Sequence, residues 1–325
     1  MRESERRDDR AGYHRVNRGV GEVVNVDRVC TVSLVPVLLP RTLDAAVSML
    51  ADEPGATLLC GGTDLMVEVN DGHRRPDSAV MMVNRIAELR SWRHDPAAGT
   101  VTIGAAVTYS ELMREPLASL LPALAEASRT VGSPQIRNAG TLGGNLGTCS
   151  PAGDGLPVLA AADATVTLAS ASGMRTVDVV DFMLGVKRTD RRPGELIAAV
   201  TIPVAAGWQG YAKVGVRNAM VIAVASACLV VDAHRRSVGL ALGSVGPTVL
   251  RCPEAEAFLV ERVDWDSGRV DRDALAVFGD LAAAASTPIT DHRSTAQYRR
   301  HAVGVMAGRL ARRAFAADLD EEESR

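Results

Sequence analysis

Apolar positions first recur at helical spacing over 39–54. Leu43, Ala46, Val47, Leu50 and Ala51 share one face behind Thr42, a residue that caps helix starts. The run "ATLLCGG" (56–62) predicts a short buried strand ending on two glycines, and "TDLMVEVNDG" (63–72) a loop opening into a helical turn. "SAVMMVN" (78–84) predicts a second strand. "TVTIGAAVTYSELMRE" (100–115) reads as a strand and then a helix from Thr108, because "TYSE" places a hydroxyl and Glu111 at capping-box spacing. Residues 116–132 are helical by pattern. Periodicity then stops over "SPQIRNAGTLGGNLGTCSPAGDGLP" (133–157), whose glycines predict a long loop.

Beyond that loop, 156–170 predicts a helix giving way to a strand at Thr165, and 174–183 and 194–204 predict strands. A long apolar alternation fills 211–234, with 237–251 as its hairpin partner. "PEAEAFLVERV" and "RDALAVFGDLAAAAST" predict helices. A closing amphipathic helix over 294–319 is expected to carry its arginines on the outer face. Strands and helices mix without regular βαβ alternation, which predicts an α+β fold. The composition shifts near Gly207, the best internal boundary.

Composition narrows the possibilities. The chain has 325 residues, 47% of them apolar, and a formal charge of −3. Nucleic-acid-binding domains usually carry a basic excess, so nucleic acid is not the expected partner. No apolar run approaches the roughly 18 residues of a membrane span, and the arginine-rich, acid-rich first residues do not read as a secretory signal. The expected compartment is the cytoplasm. Residues 1–34 read as a disordered extension and 315–325 as an acidic tail. Five cysteines, Cys30, Cys60, Cys149, Cys228 and Cys252, are widely separated. No spacing fits a zinc or iron–sulfur site, so free thiols and no metal are expected.

Two stretches carry candidate chemistry: "LLCGGTDL" (58–65) and "GTLGGNLGT" (140–148). Glycine lets a ligand approach the main chain closely, and consecutive unpaired N–H groups form concavities that bind anions. Thr63, Thr141, Thr148 and Ser150 add hydroxyl donors, while Asp64 and Asp154 add acceptors suited to sugar hydroxyls or a ring N–H. A ligand with two phosphates, a sugar and a flat ring would use all of them. Neither stretch has the P-loop pattern or the Rossmann glycine pattern. Several of these residues also have plain structural readings. Asp154 is placed to cap a helix, Lys213 to sit solvated beside a strand, and Arg137 and Asn138 to tie down the loop. Cys60 and Cys149 suit small packing positions, and Met66, Val67 and Val69 read as core.

Taken together, "CGGTDLMVEVN", "VGSPQIRNAGTLGGNLGTCSPAGDGLPVLAAADATV" and "YAKVGVRNAM" resemble the flavoprotein subunit of molybdenum hydroxylases, the xanthine dehydrogenase and carbon monoxide dehydrogenase family. The resemblance covers about 35–312. It implies a two-subdomain FAD-binding fold of the vanillyl-alcohol-oxidase/PCMH type over 35–205, with subdomains at about 35–95 and 96–205. A C-terminal domain of antiparallel strands and helices would follow over 206–314. It implies FAD as the cofactor of this chain. Leu58, Leu59, Cys60, Gly61, Gly62, Thr63, Asp64 and Leu65 would line the pyrophosphate and adenosine side. Thr141, Leu142, Gly143, Gly144 and Asn145 would form the second loop, with Asp154 and Ile197 near the flavin and Lys213 entering from the C-terminal domain. Val131 stands where some relatives carry a stacking aromatic.

The same resemblance implies partners. An iron–sulfur subunit and a molybdopterin subunit would deliver electrons through [2Fe–2S] clusters to FAD, and from there to NAD⁺ or another acceptor. Flavin chemistry leaves no general base or nucleophile to seek in this chain. Two alternatives stay open at this point: a self-contained FAD-dependent oxidase on a related scaffold, and a non-catalytic flavin-binding module.

Overall fold

Three sheets of three or more strands follow one another along the described chain, each with its own apolar layer. The computed structural model describes residues 35–76 and 78–317. The expected N-terminal extension, Cys30 and the end of the acidic tail lie outside them. The first sheet is parallel, in the order Val37–Leu38, Val80–Met82, Thr57–Leu59. The Leu43–Asp52 helix packs against it through Ala46 and Leu50, with Met81, Ile86 and Leu89 in the same core. Thr42 caps that helix, its side chain accepting from the Ala45 amide. The helical turn Leu65–Asn70 follows the strand Thr57–Leu59 after a five-residue turn. Met66 and Val67, expected in the core, are exposed on it. The turn buries no residue, and Glu68 within it pairs with Lys187.

The second sheet is antiparallel, in the order Trp92–Asp95, Thr100–Gly104, Leu196–Pro203, Thr165–Ser170, Gly173–Asp178. The capping box at Thr108 and Glu111 forms as the sequence predicts. The segment 133–157 departs from its prediction. It is not a loop but a chain of short helices: Pro134–Ala139, Leu142–Thr148 and the start of Gly155–Ala161. Ser133 and Thr141 cap the first two through their hydroxyls. Tertiary packing overrides glycine's low helix propensity here. A Cβ on Gly143 would stand 2.5 Å from both the Ala105 Cβ and its carbonyl oxygen, so the helix can lie against that strand end only if glycine occupies the contact.

The third sheet is antiparallel, Gln209–Val214, Ala225–Asp232, Ser237–Gly243, Leu250–Arg251. The predicted alternation over 211–234 is therefore two strands separated by a loop at 215–224. The strand Ala225–Asp232 is buried along its whole length. Ala225, Ala227, Leu229 and Val231 face one core, which also holds Phe278, Val303 and Leu310, while Cys228 and Val230 face the core shared with Tyr211. A sheet covered on both faces needs apolar residues on both, so simple alternation does not apply. The helices Pro253–Val260, Arg272–Ala285 and Ala296–Ala314 close the outer face. Arg299, expected on the solvent side, is buried beneath the last of them. No helix among the described residues is long and apolar enough to cross a membrane.

Candidate functional site

A cleft of about 560 Å³ opens between the first sheet and the 131–154 segment, with Leu196 and Ile197 in its lining. Of the residues singled out in the sequence, Leu58 to Leu65 line it as one continuous stretch. Thr141, Gly143, Gly144, Asn145, Asp154 and Ile197 line it too. Leu142 does not: it is fully buried and packs into the core. Lys213 does not line the cleft either, and reaches it only through Asp154. Val131 lines it as an aliphatic wall, with the buried Tyr109 also in the lining.

The two walls meet closely. A Cβ on Gly61 would stand 1.8 Å from the carbonyl oxygen of Ala139, so only glycine permits this approach. Thr148 donates its hydroxyl to Asp64 Oδ2 at 2.9 Å, and Lys187 pairs with Glu68 across the same gap. Arg74 and Arg191 also line the cleft, and Arg74 joins Lys187 on Glu68.

The main-chain donors are unevenly divided between the walls. The amides of Leu142, Gly143 and Asn145 donate to Val107, Ala105 and Thr141 carbonyls, and that of Gly144 to the Thr141 hydroxyl. The second glycine stretch thus has its N–H groups already engaged. Arg137 does tie this wall down, donating to the Val131 and Gly132 carbonyls at 2.9 and 3.0 Å. Asn138 instead accepts from the Ser110 hydroxyl. By contrast, the amides of Gly62, Thr63, Asp64 and Leu65 have no protein acceptor among the described residues. Four consecutive unpaired N–H groups facing a cleft make an anion-binding concavity. The unpaired main-chain donors therefore belong to the first wall.

Another part of the lining is built around Asp154, which the sequence left open as a helix cap. It makes no cap bond. Its Oδ1 accepts from the Tyr211 hydroxyl and its Oδ2 from Lys213 Nζ, both at 2.8 Å, and Lys213 also donates to the Thr130 carbonyl. Burial pushes the Asp154 carboxyl above the usual carboxylate range, against the opposing pull of Lys213 and Tyr211. Burial and the nearby Asp154 charge push the Tyr211 and Tyr109 hydroxyls well above their ordinary range, so both stay protonated donors. A carboxylate has about four acceptor positions. Two are filled from the C-terminal sheet, which leaves acceptor capacity for a ligand N–H or hydroxyl in the cleft. Burial likewise raises the Cys60 thiol, against a hydrogen bond from Thr141, so it is a neutral wall residue.

Sequence reasoning missed Tyr109, Tyr211, Glu68, Arg74, Lys187 and Arg191. One signal was available. In "YAKV", Tyr211 and Lys213 are two apart on a strand and so share a face. It also missed Met220, Val221 and Ile222, which line the cleft from the 215–224 loop.

Residues 31–205 match the family described as the FAD binding domain in molybdopterin dehydrogenase, and residues 211–314 the CO dehydrogenase flavoprotein C-terminal domain. The chain is 30% identical over 270 residues to the glyceraldehyde dehydrogenase medium chain of Sulfolobus acidocaldarius, covering 82% of this chain and 93% of that one. It is 35% identical over 234 residues to the nicotinate dehydrogenase FAD-subunit of Eubacterium barkeri, covering 68% and 78%. Its fold superposes on a chain of the reconstituted CO dehydrogenase from Oligotropha carboxidovorans with a TM-score of 0.78 at 30% identity, covering 86% of this chain and 97% of that one.

Proposed function

The chain belongs to the FAD-binding flavoprotein subunits of the molybdenum hydroxylases, and from that premise we propose that its cleft holds one FAD stretched between the Gly62–Leu65 amides and Asp154. The observation that carries this reading is the run of four unpaired amides at one place in the cleft and a buried, doubly held carboxylate at another. The diphosphate rests on those amides, with the Thr63 hydroxyl as a further donor. The adenosine side lies along Leu58–Leu65, and the flavin side along Asp154 and Ile197. In this reading 35–205 is the cofactor domain, and 206–314 closes the flavin end through Tyr211 and Lys213.

FAD held by these residues would supply the redox centre, between [2Fe–2S] clusters on a partner subunit and NAD⁺ or another acceptor. This chain's own residues bind, orient and exclude water. Asp154 accepts a hydrogen bond from the ring or the ribityl chain, and Lys213 and Tyr211 hold it in place. Val131, Ile197 and Ile222 offer aliphatic surface in place of a stacking aromatic ring. A molybdopterin subunit completes the complex and carries the substrate pocket. Family membership as a dehydrogenase subunit favours this reading over a self-contained oxidase or a silent flavin-binding module.

Competition binding tests the diphosphate assignment. FAD titrated into the flavin-free chain is expected to bind at one site. ADP should compete with it, and riboflavin should bind at least tenfold more weakly than FAD. Riboflavin binding as tightly as FAD would show that the amide cradle takes no part.

A further inference from the structure

Arg299 sits in the Ala296–Ala314 helix with its side chain only 5% exposed. A buried guanidinium needs its donors met and its charge balanced. Nη1 donates to the Val224 carbonyl at 2.8 Å and to the Ser244 carbonyl at 2.9 Å. Nη2 donates to Asp291 Oδ1 at 2.7 Å. Nε is buried without a partner, as is the Ser244 hydroxyl.

Both carbonyls lead to the cleft. Val224 is the foot of the 215–224 loop, whose base closes through its own amide on the Val214 carbonyl at 2.8 Å. Ser244 holds a left-handed backbone (φ 63°) and donates its amide to Pro151, between the cleft-lining residues Ser150 and Ala152. The loop itself is internally braced. Arg217 Nε donates to the Ala219 and Met220 carbonyls, and a Cβ on Gly215 would stand 2.3 Å from Val221. Met220 and Ile222 line the cleft yet remain more than half exposed, at 57% and 52%. A braced loop moves as one piece about its feet, so whatever fixes a foot sets its position over the cleft.

We propose that Arg299 is a positioning residue that holds the apolar loop Gly215–Val224 over the flavin side of the cleft and locks it to the cleft wall at Pro151. The proposal rests on the FAD reading for what lies beneath the loop, but not for the lock itself. A planar fork reaches two carbonyls and a carboxylate together, and a lysine ammonium cannot reproduce that geometry. Asp291 anchors the fork, accepting from the Arg293 and Ser294 amides at 2.8 and 3.1 Å.

The test compares Arg299→Lys, Ile222→Ser and the double variant in the full chain, in two readouts. Amide hydrogen exchange needs no flavin. In Arg299→Lys, the amides of 216–224 should exchange at least tenfold faster, with the strands 225–232 and 237–243 unchanged. Iodide quenching, read per bound FAD, should rise severalfold in either single variant, and the double variant should show no more than the larger single effect. Unchanged loop exchange would overturn the proposal, as would quenching that adds between the two variants. Should Arg299→Lys fail to fold, Asp291→Asn, which loosens the fork and keeps both carbonyl bonds, must still raise loop exchange at least threefold, and no change there overturns it. Wild-type protein that binds no FAD would sink the cofactor reading but leave the exchange result standing.

Discussion

Asp154, Lys213 and Tyr211 form the residue-scale centre of the cleft. A buried ion pair is weak evidence of stability, but breaking one is costly, because the remaining charge has no partner. Lys213→Met, which leaves Asp154 buried and unpaired by charge, is expected to cost about 3–5 kcal/mol in urea unfolding. Adding Asp154→Asn should recover most of that loss. A double variant as unstable as the single one would mean that the pair does not act as a unit. Asp154 was legible in the sequence, because a lone carboxylate beside a glycine-rich stretch suggests a ligand contact. Its partners were less so. Lys213 was expected to enter from the C-terminal domain or to sit solvated; it is buried on Asp154, and only the strand geometry of 209–214 shows which way it faces.

At the scale of elements, the close approach of the two walls decides the shape of the cleft. Gly61→Ala would force the turn away from Ala139, and overpacking of this kind costs about 1–3 kcal/mol. If the closed cleft bears that cost, FAD binding should weaken about 5- to 150-fold, measured by fluorescence titration. Unaltered affinity would mean the walls do not close around the cofactor. The anchor of the last helix gives a pH signature. Backbone amide bonds from Arg293 and the bonded Arg299 pull Asp291 down to about 2. A carboxyl lowered on folding adds stability that is present above its unfolded value of about 4 and lost as pH falls through about 2. Asp291→Asn should therefore flatten the fall of the thermal midpoint between about pH 4 and pH 2. The helices within 133–157 were not legible, because glycine's low helix propensity argues against them and the contact at Ala105 that requires glycine is visible only in the fold. The buried face of Arg299 was hidden for a similar reason. Its helix has arginine on several faces, and only the loop feet it reaches identify the inward one.

Across the whole molecule, the sequence shows an α+β fold with two separate glycine stretches, and the structure brings both to one cleft. The division of labour within the cleft was not legible. Both glycine stretches look like bare backbone in the sequence, yet one has its amides engaged by Val107, Ala105 and Thr141, and the other leaves those of Gly62–Leu65 without a protein acceptor among the described residues. The third sheet ties the C-terminal helices to Asp154 and the 215–224 loop through Tyr211, Lys213 and Arg299. The account stands on FAD occupying this cleft, and cofactor content tests that most directly. The full chain, purified and then denatured, is expected to release one FAD per chain, and the flavin-free protein should take it up again at the same stoichiometry. A colourless protein that cannot be reconstituted with FAD would contradict the account.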